Sequence, residues 1–120
     1  MPVSPEFRSF VLEQLGRVAP AIRARSMFGG VGVYSDDRFF ALIDGDQVYL
    51  KVDDSNRPAF EEIGMRPFRP FGPDGEQMQY YALRGDLLED AEALAPWVAD
   101  AIDVAVRAKS GRAKTRRKSD

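Results

Sequence analysis

Between Phe28 and Val52 the chain carries three strand-like runs joined by connections too short for anything but hairpins, and this restricts its fold more than any other feature. Phe28 to Tyr34 reads as a strand with glycines at 29, 30 and 32, followed by the short turn Ser35-Asp36-Asp37. Arg38 to Ile43 is then a near-continuous apolar run of strand length. Asp44-Gly45-Asp46 carries the Asp-Gly hairpin signal, and in Gln47 to Val52 the residues Val48, Leu50 and Val52 face one way. Strands connected this tightly are antiparallel neighbours, because a parallel pair needs a long crossover. The expectation is a three-stranded meander whose middle strand is central and buried on both faces. Interior glycines in its first strand imply a bulge or a close backbone approach.

Helical patterns flank the meander. Ser4-Pro5-Glu6 supplies an N-cap, a first-turn proline and an acid facing the dipole. Phe7, Phe10, Val11, Gln14 and Leu15 then share one face, and Gly16 provides a stop. Residues 17–21 connect around Pro20, and Ile22 to Met27 alternates only weakly. After the meander, Asp53-Asp54-Ser55-Asn56 offers caps for a short helix with Pro58 in its first turn and Ala59, Phe60 and Ile63 on one face. Gly64 ends that helix and sets Met65 against Phe60 in a Schellman contact. The prolines in Arg66 to Phe71 limit it to an edge segment. Gly72 to Gly75 is a turn, and Gln77 to Arg84 a final strand. A last helix over about 90 to 109 carries the stripe Leu94, Trp97, Val98, Ala101, Ile102 and Ala105. Pro96 conflicts with it locally, so the helix begins near Ala95 or is kinked there. The order is α-β(3)-α-β(2)-α, an α+β two-layer domain with a mostly antiparallel five-stranded sheet.

The chain has 120 residues and neither cysteine nor histidine. Disulfides, thiolate nucleophiles, cysteine/histidine zinc sites and imidazole bases are therefore excluded. Catalysis would have to rest on carboxylates, Lys51, tyrosines or a hard cation held by oxygens. No acid/base pair stands out, so a non-enzymatic protein without cofactor or small-molecule substrate is expected. No apolar run reaches spanning length, and Met1-Pro2-Val3-Ser4 has no leader character, which favours the cytoplasm over a membrane.

The net charge of −2 conceals two opposed segments. Residues 1–106 hold 10 Lys/Arg against 18 Asp/Glu, a net of −8, and residues 107–120 hold 7 Lys/Arg against Asp120 alone, a net of +6. The chain divides into a domain over 1–106 and a basic tail over 107–120. That tail lacks large apolar residues and is expected to be flexible and solvated.

Four groups of residues are candidates for function. In the tail, Arg107, Lys109, Arg112, Lys114, Arg116, Arg117 and Lys118 can neutralise nucleic-acid phosphates without reading sequence, or simply solubilise the chain. Gly29, Gly30 and Gly32 hint at a phosphate cradle, but strand residues follow where a helix would be needed, so close packing with Met27 and Phe28 near the core is the plainer reading. Asp36 and Asp37 share one end of the sheet with Asp53 and Asp54, an arrangement suited to Mg²⁺ or Ca²⁺ if all four converge, although turn-forming and capping explain each of them. Asp44 and Asp46 lie at the opposite end. Tyr34, Tyr49, Tyr80 and Tyr81, with Phe39, Phe68 and Phe71, can line a sheet face or groove for a protein partner or for homodimerisation.

Met27-Phe28-Gly29-Gly30-Val31-Gly32-Val33-Tyr34, followed by Phe40-Ala41-Leu42-Ile43, Tyr49-Leu50-Lys51-Val52-Asp53 and Tyr80-Tyr81, resembles the N-terminal domain of the TfoX/Sxy family over about residues 4–108. The resemblance implies an α-β(3)-α-β(2)-α fold likened to type III secretion chaperones and the MmcQ/YjbR group. It also implies a regulator of natural competence that promotes transcription of DNA-uptake genes with a cyclic-AMP receptor protein as partner. Those regulators carry a second domain after this one, where the present sequence has its basic tail. The expected function is thus a regulatory interaction domain, with a chaperone-like dimeric peptide binder and a carboxylate or metal-dependent enzyme as alternatives.

Overall fold

In a computed structural model of the chain, which describes the backbone of residues 2–27, 29–69 and 79–119 and side chains up to residue 108, the run from Ile22 to Lys51 forms four strands rather than three. Helix α1 (Pro5–Val18) leads into β1 (Ile22–Met27), β2 (Gly30–Ser35), β3 (Arg38–Asp44) and β4 (Gln47–Lys51). Helix α2 (Arg57–Glu62), β5 (Tyr80–Ala82), α3 (Gly85–Leu88) and α4 (Ala91–Ser119) complete the order. The fold is α+β, with one five-stranded antiparallel sheet in the order β1-β2-β3-β4-β5.

The strands divide four and one around α2, and the reason lies in two segments. Ile22, Ala24 and Ser26 pair with Ser35, Val33 and Val31 on the core side, whereas Arg23 and Arg25 face the other way. Only Ile22 of these core-side residues is large and apolar, so the alternation in the sequence is faint. The proline segment, conversely, contributes a single bridge from Pro67 to Tyr81, flanked by backbone bonds from Phe68 to Tyr80 and from Ala82 to Arg66, both 2.7 Å. Phe28, Phe71 and the turn expected over 72–75 lie outside the described residues.

Helices cover one face of the sheet. Val11 and Leu15 of α1, Phe60 of α2, and Leu94, Val98 and Ala101 of α4 enclose a core with Val33, Ile43, Val48, Leu50 and Tyr81. The central strand β3 is therefore not buried on both faces: Phe40, Ala41 and Ile43 are buried, while Phe39 and Leu42 are half-buried on the other side. A register change between Val33 and Tyr34 leaves Phe40 as an extra residue on β3, a bulge of the kind the glycine-rich partner strand implied.

The local signals account for most boundaries. Ser4 caps α1 by accepting from the Phe7 N–H, but Gly16 does not stop the helix, which runs to Val18. Phe10 and Ile63, expected on buried stripes, are exposed. Gly64, at φ +82°, closes α2 in a Schellman arrangement, with Met65 N–H donating to the Phe60 carbonyl and Gly64 N–H to that of Glu61. Helix α4 begins at Ala91 and contains Pro96, because Asp90 caps it through the N–H groups of Glu92 and Ala93. Its backbone continues as helix through the basic residues to Ser119.

Candidate functional site

Strand parity sorts the aromatic residues between two faces. Tyr81 points into the core against Phe60 and donates to Glu61 Oε2 at 2.7 Å. Tyr34, Phe39, Tyr49, Tyr80 and Phe68 gather on the face away from the helices. Phe39 stacks on Tyr34 with centroids 4.9 Å apart and meets Tyr80 at 5.9 Å; Tyr49 meets Phe68 at 4.4 Å. Cations close both ends of the first row, the Arg23 guanidinium 5.8 Å from the Tyr34 ring and the Lys51 ammonium 5.1 Å from that of Tyr80. The Tyr49 hydroxyl is held above the ordinary tyrosine pKa by burial and by the nearby Asp44 and Asp46.

The glycine motif borders the same surface. Gly29, at φ +81°, turns the chain between β1 and β2. A Cβ on Gly30 would stand 2.6 Å from the Ile43 carbonyl oxygen, and one on Gly32 would stand 2.6 Å from Met27 Cε and 3.2 Å from the Phe39 ring. Met27 thus lies across Gly32, and the two glycines admit neighbouring backbone and side chain. Between the start of α1 and the Gly29 turn lies a cleft of about 440 Å³ whose walls include Val3, Arg8, Ser26 and Val31.

The four aspartates are dispersed among separate partners. Asp36 lies 4.0 Å from Arg38, and Asp54 pairs with Arg57. Asp53 accepts from the hydroxyl and N–H of Ser55 and from Arg107 at 3.2 Å. Asp37 sits in the β2–β3 turn. Among the described residues, no group of three or more acidic side chains is placed to share a metal ion. Arg107, expected in the tail, is instead anchored on Asp53 and Ser55 Oγ, the latter at 2.7 Å. Lys109, Arg112, Lys114, Arg116, Arg117 and Lys118 lie on the α4 backbone, and their side chains are outside the described residues. No described helix is long and apolar enough to cross a membrane.

Two features escaped the sequence reading. The Arg107–Asp53 pair joins positions 54 residues apart, beyond any local pattern. The proximity of Arg8 to β1, donating to Ser26 Oγ at 3.4 Å, depended on recognising β1 as a strand.

Comparison with known proteins covers most of the structure described above. The family model for the TfoX N-terminal domain matches residues 13–105. The DNA transformation protein TfoX1 of Aliivibrio fischeri (strain ATCC 700601 / ES114) is 36% identical over 63 residues, which is 52% of this chain and 28% of that relative. The chain therefore spans under a third of the length of the curated relative it matches.

Proposed function

This chain belongs to the TfoX N-terminal domain family, and from that premise we propose that it is a non-enzymatic regulatory domain serving bacterial DNA uptake through contacts with a protein partner. The family match over nearly the whole folded body carries the reading. The similarity to a DNA transformation protein supplies the process. A half-buried aromatic face with cations at its ends supplies a surface suited to binding. The lack of histidine and cysteine removes imidazole and thiolate chemistry, and Asp53 and Asp54 are engaged by arginines, which supports a binding role over a catalytic one. In this reading the protein works in the cytoplasm and assists transcription of uptake genes, with the cations beyond Arg107 adding sequence-independent DNA contact.

The test is genetic. Deleting the gene in its source bacterium is expected to lower transformation frequency and the transcripts of DNA-uptake genes, and the full chain supplied in trans restores both. Unchanged frequency and unchanged transcripts would remove the competence reading.

A further inference from the structure

The two edges of the sheet are treated differently. Beyond β5, the Arg66–Phe68 segment occupies the edge through its bonds to Tyr80 and Ala82. Strand β1 is the other edge, and among the described residues none of Ile22–Met27 makes a backbone hydrogen bond beyond its pairing with β2. On alternate residues its N–H and C=O groups face outward, a template for one more strand.

Three arginines surround this edge. Arg23 and Arg25 are exposed on the face away from the helices. Arg23 donates to the Asp36 carbonyl at 3.0 and 3.3 Å, and Arg25 has no hydrogen-bond or ion-pair partner among the described residues. Arg8 approaches from α1 on the core side, where its side chain is held, among the described residues, by Ser26. None of the three meets a carboxylate among the described residues, although the body has 18 acids against 10 bases, and Arg17, Arg38, Arg57, Arg84 and Arg107 each pair with one. Beside the Met27 end lies the cleft that Arg8, Ser26, Gly29 and Gly30 help to form, and none of its described lining residues is acidic.

We propose that β1 is a docking edge for an extended acidic segment of a partner protein, which adds as a further strand. Main-chain bonds to β1 supply affinity. Acidic side chains on one face of the added strand meet Arg23 and Arg25, and one on the opposite face enters the cleft beside Arg8. A second copy is the wrong occupant, because pairing two β1 edges sets the arginines of one against those of the other, and like charges across strands repel. The inference deepens the reading of this domain as one that works through protein contacts.

Titration of the isotope-labelled full chain with a short peptide of alternating Glu and Val, in which one Val is replaced by Glu to face the cleft beside Arg8, tests it by amide resonances. The expected result is shifts centred on Ile22–Met27, weakened by salt, with affinity about tenfold lower for Arg25→Glu and little changed for Arg25→Lys. An alternating Lys-Val peptide is expected to leave these resonances unmoved. Arg25 is exposed and makes no hydrogen bond or ion pair among the described residues, and the variant's own spectrum verifies its integrity. Shifts lying elsewhere, no shifts, unaltered affinity in Arg25→Glu, a dimer protected at β1, or stronger shifts of these amides with single-stranded DNA would each overturn the proposal. A lost transformation phenotype on gene deletion would still stand in those cases, so failure of the docking edge and failure of the competence reading are separable.

Discussion

Gly16 and Gly30 are opposites at the scale of one methyl group. A Cβ at Gly16 meets nothing within 4 Å on α1, whereas one at Gly30 falls 2.6 Å from the Ile43 carbonyl oxygen. Gly16→Ala is expected to stabilise the fold by about 0.5–1 kcal/mol, because glycine inside a helix costs backbone entropy. Gly30→Ala is expected to destabilise it by about 2–3 kcal/mol, since main chain rather than a flexible side chain must move. Urea denaturation of the pair measures both signs against one reference. Asp53 provides a pH-dependent counterpart. Hydrogen bonds from the Ser55 hydroxyl, then from the Ser55 N–H and Arg107, hold its carboxyl below the ordinary aspartate range. A depressed folded-state pKa contributes stability above the unfolded value of about 4 that is lost as pH falls through the folded value. The side chain is 39% exposed, so Asp53→Asn is expected to flatten the acid limb of the stability curve by less than about 1 kcal/mol, as acid titration of the melting temperature would show.

Single elements show where local chemistry speaks and where it is overruled. In α4, Pro96 removes the bond to the Glu92 carbonyl, yet the Asp90 cap and the buried stripe from Leu94 to Ala105 keep the helix running through it. Pro96 is exposed, so Pro96→Ala restores a hydrogen bond without disturbing the core and is expected to raise stability by about 1–3 kcal/mol in thermal or urea unfolding. No gain in stability would mean that the proline ring is accommodated without cost. The same competition explains what could be read from sequence. Ser4, Gly64 and the Asp-Gly turn were legible because each acts within a few residues: a cap on Phe7, a left-handed closure of α2, a hairpin between β3 and β4. Gly16 misled because tertiary burial of Leu15 and Val11 outweighs one poor helix former. Strand β1 was faint because Ile22 alone among its core-side residues is large and apolar, Ala24 being small and Ser26 polar. The aromatic face followed from parity once the register was known, and Tyr81 fell on the opposite side for the same reason.

Over the whole molecule, charge is the property most altered by folding. The sequence divides it at residue 107, but Arg107 is the junction itself, tied to Asp53 and Ser55 on the acidic body. A cation already paired at 3.2 Å with a carboxylate releases no counterion when phosphate is nearby unless that pair breaks. In the DNA contact proposed above, Arg107 is then withdrawn from the seven tail cations, which leaves at most six to engage a duplex. The logarithm of the binding constant is expected to fall against the logarithm of salt with a slope near −5 for the full chain, whereas seven free cations would give about −6. Asp53→Ala releases Arg107, so its slope is expected to steepen by about one while the affinity at low salt rises. A chain ending at Val106 keeps the buried stripe of α4 and serves as the reference with the cations removed. If that shortened chain binds DNA with the same affinity and slope as the full chain, DNA contact does not run through the tail. If Asp53→Ala leaves the slope of the full chain unchanged, Arg107 remains a structural tether whether or not its partner is present, and the boundary between body and tail falls after it.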